Sequence, residues 1–347
     1  MIKHGGDLLQ IARRYGGEID QWVDLSTGVS PYTYPVSDLP ISVWNQLPQE
    51  NDGLEVAAKN YYQSPEEPLA VAGSQAAIML LPDTVKQFRG GRTGVVALPK
   101  VGYKEHQHAW CKNRSGSEID AWEVIWYDDR LSSEQIKQCD VVVIINPNNP
   151  TGYQCDVDYL LTIHHELAQK NGILIVDEAF IDIHPEKSLL SVINDLKNLI
   201  VLRSIGKFFG LAGARVGFLF ATEPLKNNVA ERLGPWTVTG PSRWVVKHAL
   251  VDHEWQNKAS KKIEKASSRL KTLLSHYLTS DFEGTALFTT VYVENAPYLH
   301  DKLCQNQVFT RLCDENNAVR FGLPANVFQW DKLESALVAI NQDMEPL

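Results

Sequence analysis

"RSIGKFFGLAGARVGF", residues 203–218, sets a single lysine, Lys207, among glycines and aromatic residues, with Arg215 closing the stretch. A lysine in a loop is ordinarily solvated, so any chemistry for this one must come from its neighbours. Two familiar motifs place a lysine in a similar way, and both fail. A nucleotide-binding loop needs G-x-x-x-x-G-K-[ST], but Val201 stands where its first glycine belongs and Phe208 follows the lysine. The spacing Ser204-x-x-Lys207 occurs in penicillin-recognising enzymes, yet their S-D-N and K-T-G boxes are absent. What remains is a partly buried lysine, whose amine loses its proton more easily on desolvation and becomes a nucleophile.

Composition narrows the setting. The chain has 347 residues and a net charge of −9, with no Lys/Arg-rich run, which argues against a nucleic-acid partner. The start, "MIKHGGDLLQIARRYGG", lacks an apolar signal region, and no apolar run approaches the ~18 residues of a membrane span. A cytoplasmic protein without membrane contact is expected. The cysteines (Cys111, Cys139, Cys155, Cys304, Cys313) are odd in number, scattered and without a C-x-x-C pair, as in free thiols of a reduced compartment. No metal site is expected either. "HHEL" at 164–167 meets Gln169 where a second zinc histidine would stand, and His106 and His108 are two apart on a helical stretch, pointing different ways.

Short β-branched runs alternate with helical patterns: "LAVAG" (69–73), "TGVVAL" (93–98), "WEVIWY" (122–127), "DVVVIIN" (140–146), "GILIVDE" (172–178) and "NLIVLRS" (198–204). The longer runs are almost wholly apolar, as strands covered on both faces should be, and the later ones are separated by segments of crossover length. This pattern predicts an α/β fold with a mostly parallel sheet. Residues 1–45 read as an N-terminal arm packing on both domains, 46–240 as the large domain, and 241–347 as a long helix (about 241–278) plus a smaller α+β domain.

In such sheets ligands bind beyond the carboxyl ends of the strands. Polar residues interrupt the apolar pattern there: Gly73-Ser74-Gln75, Pro99 to Tyr103, Asn146 to Gly152, Asp177-Glu178 and Ser204 to Lys207. Each has a plain alternative. Lys207 fits a Schiff base with pyridoxal phosphate, or is a solvated loop lysine. Asp177, ending the apolar "ILIV", is costly unless it meets a cation such as a pyridinium nitrogen, or it caps the following helix. Asn149 in "NPNNPTG" offers an amide to the cofactor's ring oxygen. Gly73, Ser74 and Gln75 open a helix whose backbone N–H groups suit a phosphate. Ser204 and Arg215 can complete that pocket, and Tyr103 can stack on the ring.

Together these pieces resemble fold-type I pyridoxal-phosphate enzymes, and "SIGKFFGLAGARVGF" is similar to the lysine box of histidinol-phosphate aminotransferase relatives. "HGGD" (4–7), "DLSTGVSP" (24–31), "DEAFID" (177–182) and "LGPWTVTGP" (233–241) resemble the L-threonine-O-3-phosphate decarboxylase branch of cobalamin biosynthesis. The resemblance runs over nearly the whole chain. It implies that Lys207 carries the cofactor, Asp177 pairs with its ring nitrogen and Asn149 faces its ring oxygen. It also implies that Arg320 takes the substrate α-carboxylate, that Arg311 meets its phosphate or carboxylate, and that His4 and Gly5 close over the phosphate. Gly28 falls among the substrate-binding positions, where some decarboxylases have asparagine. Phe180 stands where typical aminotransferases have tyrosine, a feature that decarboxylase relatives share. Leu47-Pro48 replaces a Tyr-Pro whose tyrosine reaches the neighbouring subunit.

The implied reaction is loss of carbon dioxide from L-threonine O-3-phosphate, a small phosphorylated amino acid, in a homodimeric enzyme. Two rivals stand beside it: an aminotransferase of the histidinol-phosphate type using the same residues, and a non-catalytic cofactor-binding protein on this scaffold.

Overall fold

The computed structural model describes residues 4–36, 38–112 and 121–343, so the expected arm begins, and the expected small domain ends, outside the described residues. Among the described residues the strands in chain order are β1 (Val23–Asp24), β2 (Leu69–Val71), β3 (Val95–Pro99), β4 (Glu123–Tyr127), β5 (Val141–Ile145), β6 (Ile173–Asp177), β7 (Leu199–Ser204), β8 (Gly217–Phe220), β9 (Phe282–Thr285), β10 (Phe288–Tyr292), β11 (Val308–Phe309), β12 (Arg311–Leu312) and β13 (Ala318–Gly322).

Seven of them form the main sheet in the order β2-β8-β7-β6-β5-β3-β4. Only β8 runs against its neighbours, pairing antiparallel with both β2 and β7. The other strands lie parallel, joined by crossover helices such as Val157–Ala168. Side-chain alternation explains the apolar runs. Val142, Ile144, Leu174 and Val176 enter one hydrophobic core, whereas their neighbours Val141, Val143, Ile173 and Ile175 enter a second. A strand facing two cores has no polar side to show. The strand Gly217–Phe220 is not singled out by the sequence pattern, because four residues running straight out of the lysine loop give no period of their own.

A second, antiparallel sheet has the order β12-β13-β10-β9. The expected single helix over 241–278 is two helices, Gly240–Val251 and His253–Tyr277. Asp252 separates them and caps the second, accepting a hydrogen bond from Trp255 N at 2.9 Å. Between the sheets, Gly152 and Gly284 meet backbone to backbone. Gly152 sits at φ +78°, and a Cβ on it would lie 2.3 Å from Gly284 Cα. Beside this contact Thr290 Oγ1 donates to Pro150 O at 2.6 Å.

The N-terminal segment belongs to both parts. Its helix Leu8–Tyr15 packs around Trp22, Cys304 and Phe309, and β1 pairs with β11. Further on, Ser30 N donates to Lys207 O at 2.9 Å and Tyr34 N to Phe209 O at 2.9 Å, so the same segment props the lysine loop. No helix among the described residues is long and apolar enough to cross a membrane.

One buried ion cluster ties the strand ends together. Arg203 on β7 donates to Glu178 Oε2 at 2.7 Å and to Asp182 Oδ1 at 3.3 Å, and its guanidinium lies 4.2 Å from the centre of the Tyr62 ring. Glu178 also accepts from Ser188 Oγ and Leu189 N. Burial pushes the Asp182 carboxyl up, against the opposing pull of Arg203. Arg203→Met keeps the volume but strands two buried acids, and a loss of about 3–5 kcal/mol is expected. Denaturant unfolding measures it; a loss under about 1 kcal/mol would show that the cluster is solvated in solution.

Candidate active site

The loop from β7 to β8 begins at Ser204 and ends at Gly217, which are register partners. It therefore leaves and re-enters the sheet at one point, and Lys207 projects from its start. The Lys207 amine lies 5.1 Å from the centre of the Phe180 ring and has no hydrogen-bond or ion-pair partner among the described residues. Burial brings its pKa down to about 8, helped by the charges of Arg320 and Arg215 and opposed by Asp177.

Asp177, at the last position of β6, is buried. Its Oδ1 accepts from Ala179 N at 3.1 Å, a local turn, and its Oδ2 lies 2.9 Å from His106 Nε2. His106 is wholly buried, and its Nδ1 has no partner. His106 carries no motif of its own in the sequence. Tyr103 immediately precedes the helix Lys104–Cys111 and His106 lies in its first turn, and their ring centroids are 6.3 Å apart, edge to face. His108, by contrast, is exposed.

Tyr103 leads into a chain of polar contacts. Its hydroxyl donates to Gln75 Oε1 at 3.1 Å, Gln75 Nε2 donates to Glu105 Oε2 at 2.8 Å, and Glu105 Oε1 lies 2.6 Å from His4 Nε2. Burial pushes the Tyr103 hydroxyl up to about 12, with Glu105 and Asp177 adding to the effect. Glu105, like His106, belongs to no motif of the sequence.

Opposite, Asn149 Oδ1 accepts from Arg320 Nη1, and Arg320 Nη2 donates to Ser26 O at 2.7 Å. The guanidinium is thereby held from both sides, with its Nε unpartnered. Burial takes Arg320 down to about 10, Cys313 opposing and Arg311 assisting. Ser26 also accepts from Gly6 N through its hydroxyl, which in turn donates to Asp24. Arg311 donates to Asp314 Oδ1 at 2.8 Å.

Of the residues singled out from sequence, His4, Gly5, Gly28, Tyr103, Asn149, Lys207, Arg311 and Arg320 line a single cavity of about 230 Å³. A Cβ on Gly28 would lie 2.7 Å from the Phe180 ring, so this position is bare because the ring fills it. Asp177, Gly73, Ser74, Gln75, Ser204 and Arg215 do not line that cavity and form an adjoining layer. There Gly73 takes φ +75°, and a Cβ on it would lie 2.6 Å from Arg215 Nη2. The helix Ser74–Phe88 that follows has no side-chain cap, which leaves its first N–H groups for a ligand. Arg215 holds a left-handed backbone (φ 51°, ψ 54°) and has no ion pair among the described residues. An uncapped helix start, a loose guanidinium, a lysine amine without partner and a buried carboxylate suit a phosphorylated, aldehyde-bearing, cationic ring. Among the described residues no cluster of His, Cys, Asp or Glu is placed to hold a metal ion.

Residues 51–323 match the family described as "Aminotransferase class I and II", and the chain belongs to that family. Its most similar relatives include the threonine-phosphate decarboxylase of Pseudomonas aeruginosa, 42% identical over 345 residues and 99% of each chain. A second threonine-phosphate decarboxylase, from a Sinorhizobium species, is 36% identical over 90% of each chain. Among solved structures, the histidinol-phosphate aminotransferase of Sinorhizobium meliloti in complex with pyridoxal-5'-phosphate superposes with a TM-score of 0.78 over 99% of each chain, at 18% identity. The fold is that of fold-type I enzymes.

The lowered Lys207 pKa gives a direct test on cofactor-free protein. Acylation of Lys207 by an amine-reactive reagent, followed by peptide mapping, should climb from about pH 7 and level off above about pH 9, while ordinary lysines keep climbing past pH 10. A Lys207 profile that coincides with the surface lysines would contradict the burial described.

Proposed function

We propose that this protein is a pyridoxal-phosphate-dependent decarboxylase that converts L-threonine O-3-phosphate to (R)-1-amino-2-propanol phosphate and carbon dioxide, a step of cobalamin assembly. Full-length likeness to two threonine-phosphate decarboxylases supports the reaction. The observation that carries the site is the cavity on which Lys207, His4, Gly5, Arg311 and Arg320 converge.

When bound, pyridoxal phosphate supplies a protonated ring that accepts the electron pair released at the substrate α-carbon. Lys207 is the amine that holds it, Asp177 the carboxylate for its ring nitrogen, and Asn149 the amide for its ring oxygen. Gly73, Ser74, Gln75, Ser204 and Arg215 take its phosphate, and Tyr103 covers its face. His106, bound to Asp177 Oδ2, keeps that carboxylate in one orientation.

Reaction choice falls to the residues that grip the substrate. The residues that anchor the substrate's other groups would thereby select which bond to its α-carbon breaks. Arg320, fixed by Asn149 and Ser26, takes the carboxylate; His4, Gly5, Gly28 and Arg311 surround the rest of the molecule, the phosphate included. Arg320 must act by orientation, since stabilising the departing carboxylate in the ground state slows its loss. Once carbon dioxide has left, Lys207 Nζ can carry a proton to the α-carbon, for which a pKa of about 8 is well placed.

The active form is a homodimer. Ile41, Trp44 and Leu47 are 75%, 63% and 60% exposed along the segment beside the helix Gly240–Val251. Large apolar groups left in water on one segment fit a surface covered by a second copy. Sedimentation at micromolar concentration should give a dimer that Trp44→Glu weakens, and an active monomer would refute it.

Reaction type is settled by product analysis. Purified holoenzyme with threonine phosphate should release carbon dioxide and aminopropanol phosphate at the same rate with or without 2-oxoglutarate. Glutamate formed only with the keto acid, without carbon dioxide, would make it an aminotransferase.

A further inference from the structure

Glu105 is a carboxylate only 8% exposed, placed in the first turn of the helix Lys104–Cys111. A buried carboxylate is costly unless both oxygens are served, and here they are, by partners with separate tasks. Oε1 takes His4 at 2.6 Å, across 101 residues of chain, and Oε2 takes the Gln75 amide at 2.8 Å. Gln75 is itself committed, since its Oε1 accepts from Tyr103. The donor directions in this chain are therefore fixed from end to end. An acceptor-only carboxylate requires Nε2 of His4 to carry the proton. Nδ1 is then the ring nitrogen left for a ligand, and it has no partner among the described residues.

We propose that Glu105 is a positioning residue for the phosphate end of the substrate, fixing His4 of the N-terminal segment against the cavity and linking it, through Gln75, to Tyr103. The assignment rests on the reading above in which His4 meets the phosphate. Half of the His4 side chain is open to solvent, so without Glu105 the ring is free to turn out of the cavity. With a phosphate dianion on one side of the ring and Glu105 on the other, the imidazolium is the form that donates to both. Glu105 thereby supplies the counter-charge that makes a phosphate donor of His4, while Gln75 couples the arm to the aromatic ring that covers the cofactor.

The test uses holoenzymes of the wild type, Glu105→Gln, His4→Asn and the double variant. Glu105→Gln keeps the shape and removes the charge, and KM for threonine phosphate should rise on the order of tenfold to a hundredfold, the span of one charge-assisted hydrogen bond. The kcat should stay within about threefold, because Glu105 does not touch the reacting bond. The double variant should be no worse than His4→Asn alone, since Glu105 acts through His4. Inorganic phosphate binding to the holoenzymes, by calorimetry, should weaken in the same pattern. Unchanged KM and phosphate affinity in Glu105→Gln would overturn the assignment, as would additive losses in the double variant. If Glu105→Gln fails to fold, Glu105→Asp takes its place; it should show the same KM rise to a lesser degree, and a wild-type KM would overturn the assignment. Failure of the functional reading is separate: it shows as a wild-type enzyme that releases no carbon dioxide, and the phosphate affinities still judge Glu105.

Discussion

The Arg203–Glu178 contact is the constraint from which the site follows. Arg203 and Glu178 each adjoin a residue of the site: Ser204 after Arg203, and Asp177 before Glu178. Successive side chains in extended chain point to opposite faces, so a bond between Arg203 and Glu178 on one face fixes Ser204 and Asp177 relative to each other on the other. The 2.7 Å pair thus clamps the end of the β6–β7 ladder, just past Asp177 and just before the loop that leads to Lys207. A buried pair is a poor source of stability against an apolar substitute, but its geometry is narrow, and narrow geometry is what a catalytic layer needs.

The N-terminal segment extends that frame to the substrate. Ser26 receives Gly6 through its hydroxyl and Arg320 through its carbonyl, so one residue sets both an arm that reaches the cavity and the guanidinium opposite it. Ser30 and Tyr34 then hold the lysine loop. This one segment touches the lysine loop of the large sheet, the strand β13 of the small one and the cavity.

How much of this the sequence discloses depends on the range of the signal. Strands such as "VVVII" and the polar residues ending them are local patterns, and the fold and the strand-end candidates could be read from them, whereas His4, Gly5, Gly28, Arg311 and Arg320 came only through the family resemblance. The strand Gly217–Phe220 could not, being too short to display a period, nor could the break at Asp252, where a helical pattern continues through a residue that caps instead. Partnerships across the chain leave no local trace at all. Glu105 carries no motif, and its bond to His4 exists only because the fold brings them together. Gly28 and Phe180 stood out separately in sequence; the structure makes them one feature, a ring and the space it needs.

The meeting of Gly152 with Gly284 has a consequence for how such a chain can vary. Asn149 and Pro150 follow β5 of the main sheet, Arg311 and Arg320 belong to the small sheet, and all four line the cavity; the two sheets meet through bare backbone at Gly152 and Gly284. Either glycine could gain a side chain only by wedging the sheets apart, which would pull on the hydrogen bond that joins Asn149 to Arg320. The approach of the two sheets at this point is therefore gauged by the thickness of two peptide planes, a dimension that no substitution can reduce. Both positions are closed to a side chain by neighbouring backbone and by their positive φ, so this lineage can alter what the cavity accepts only through the residues that line it.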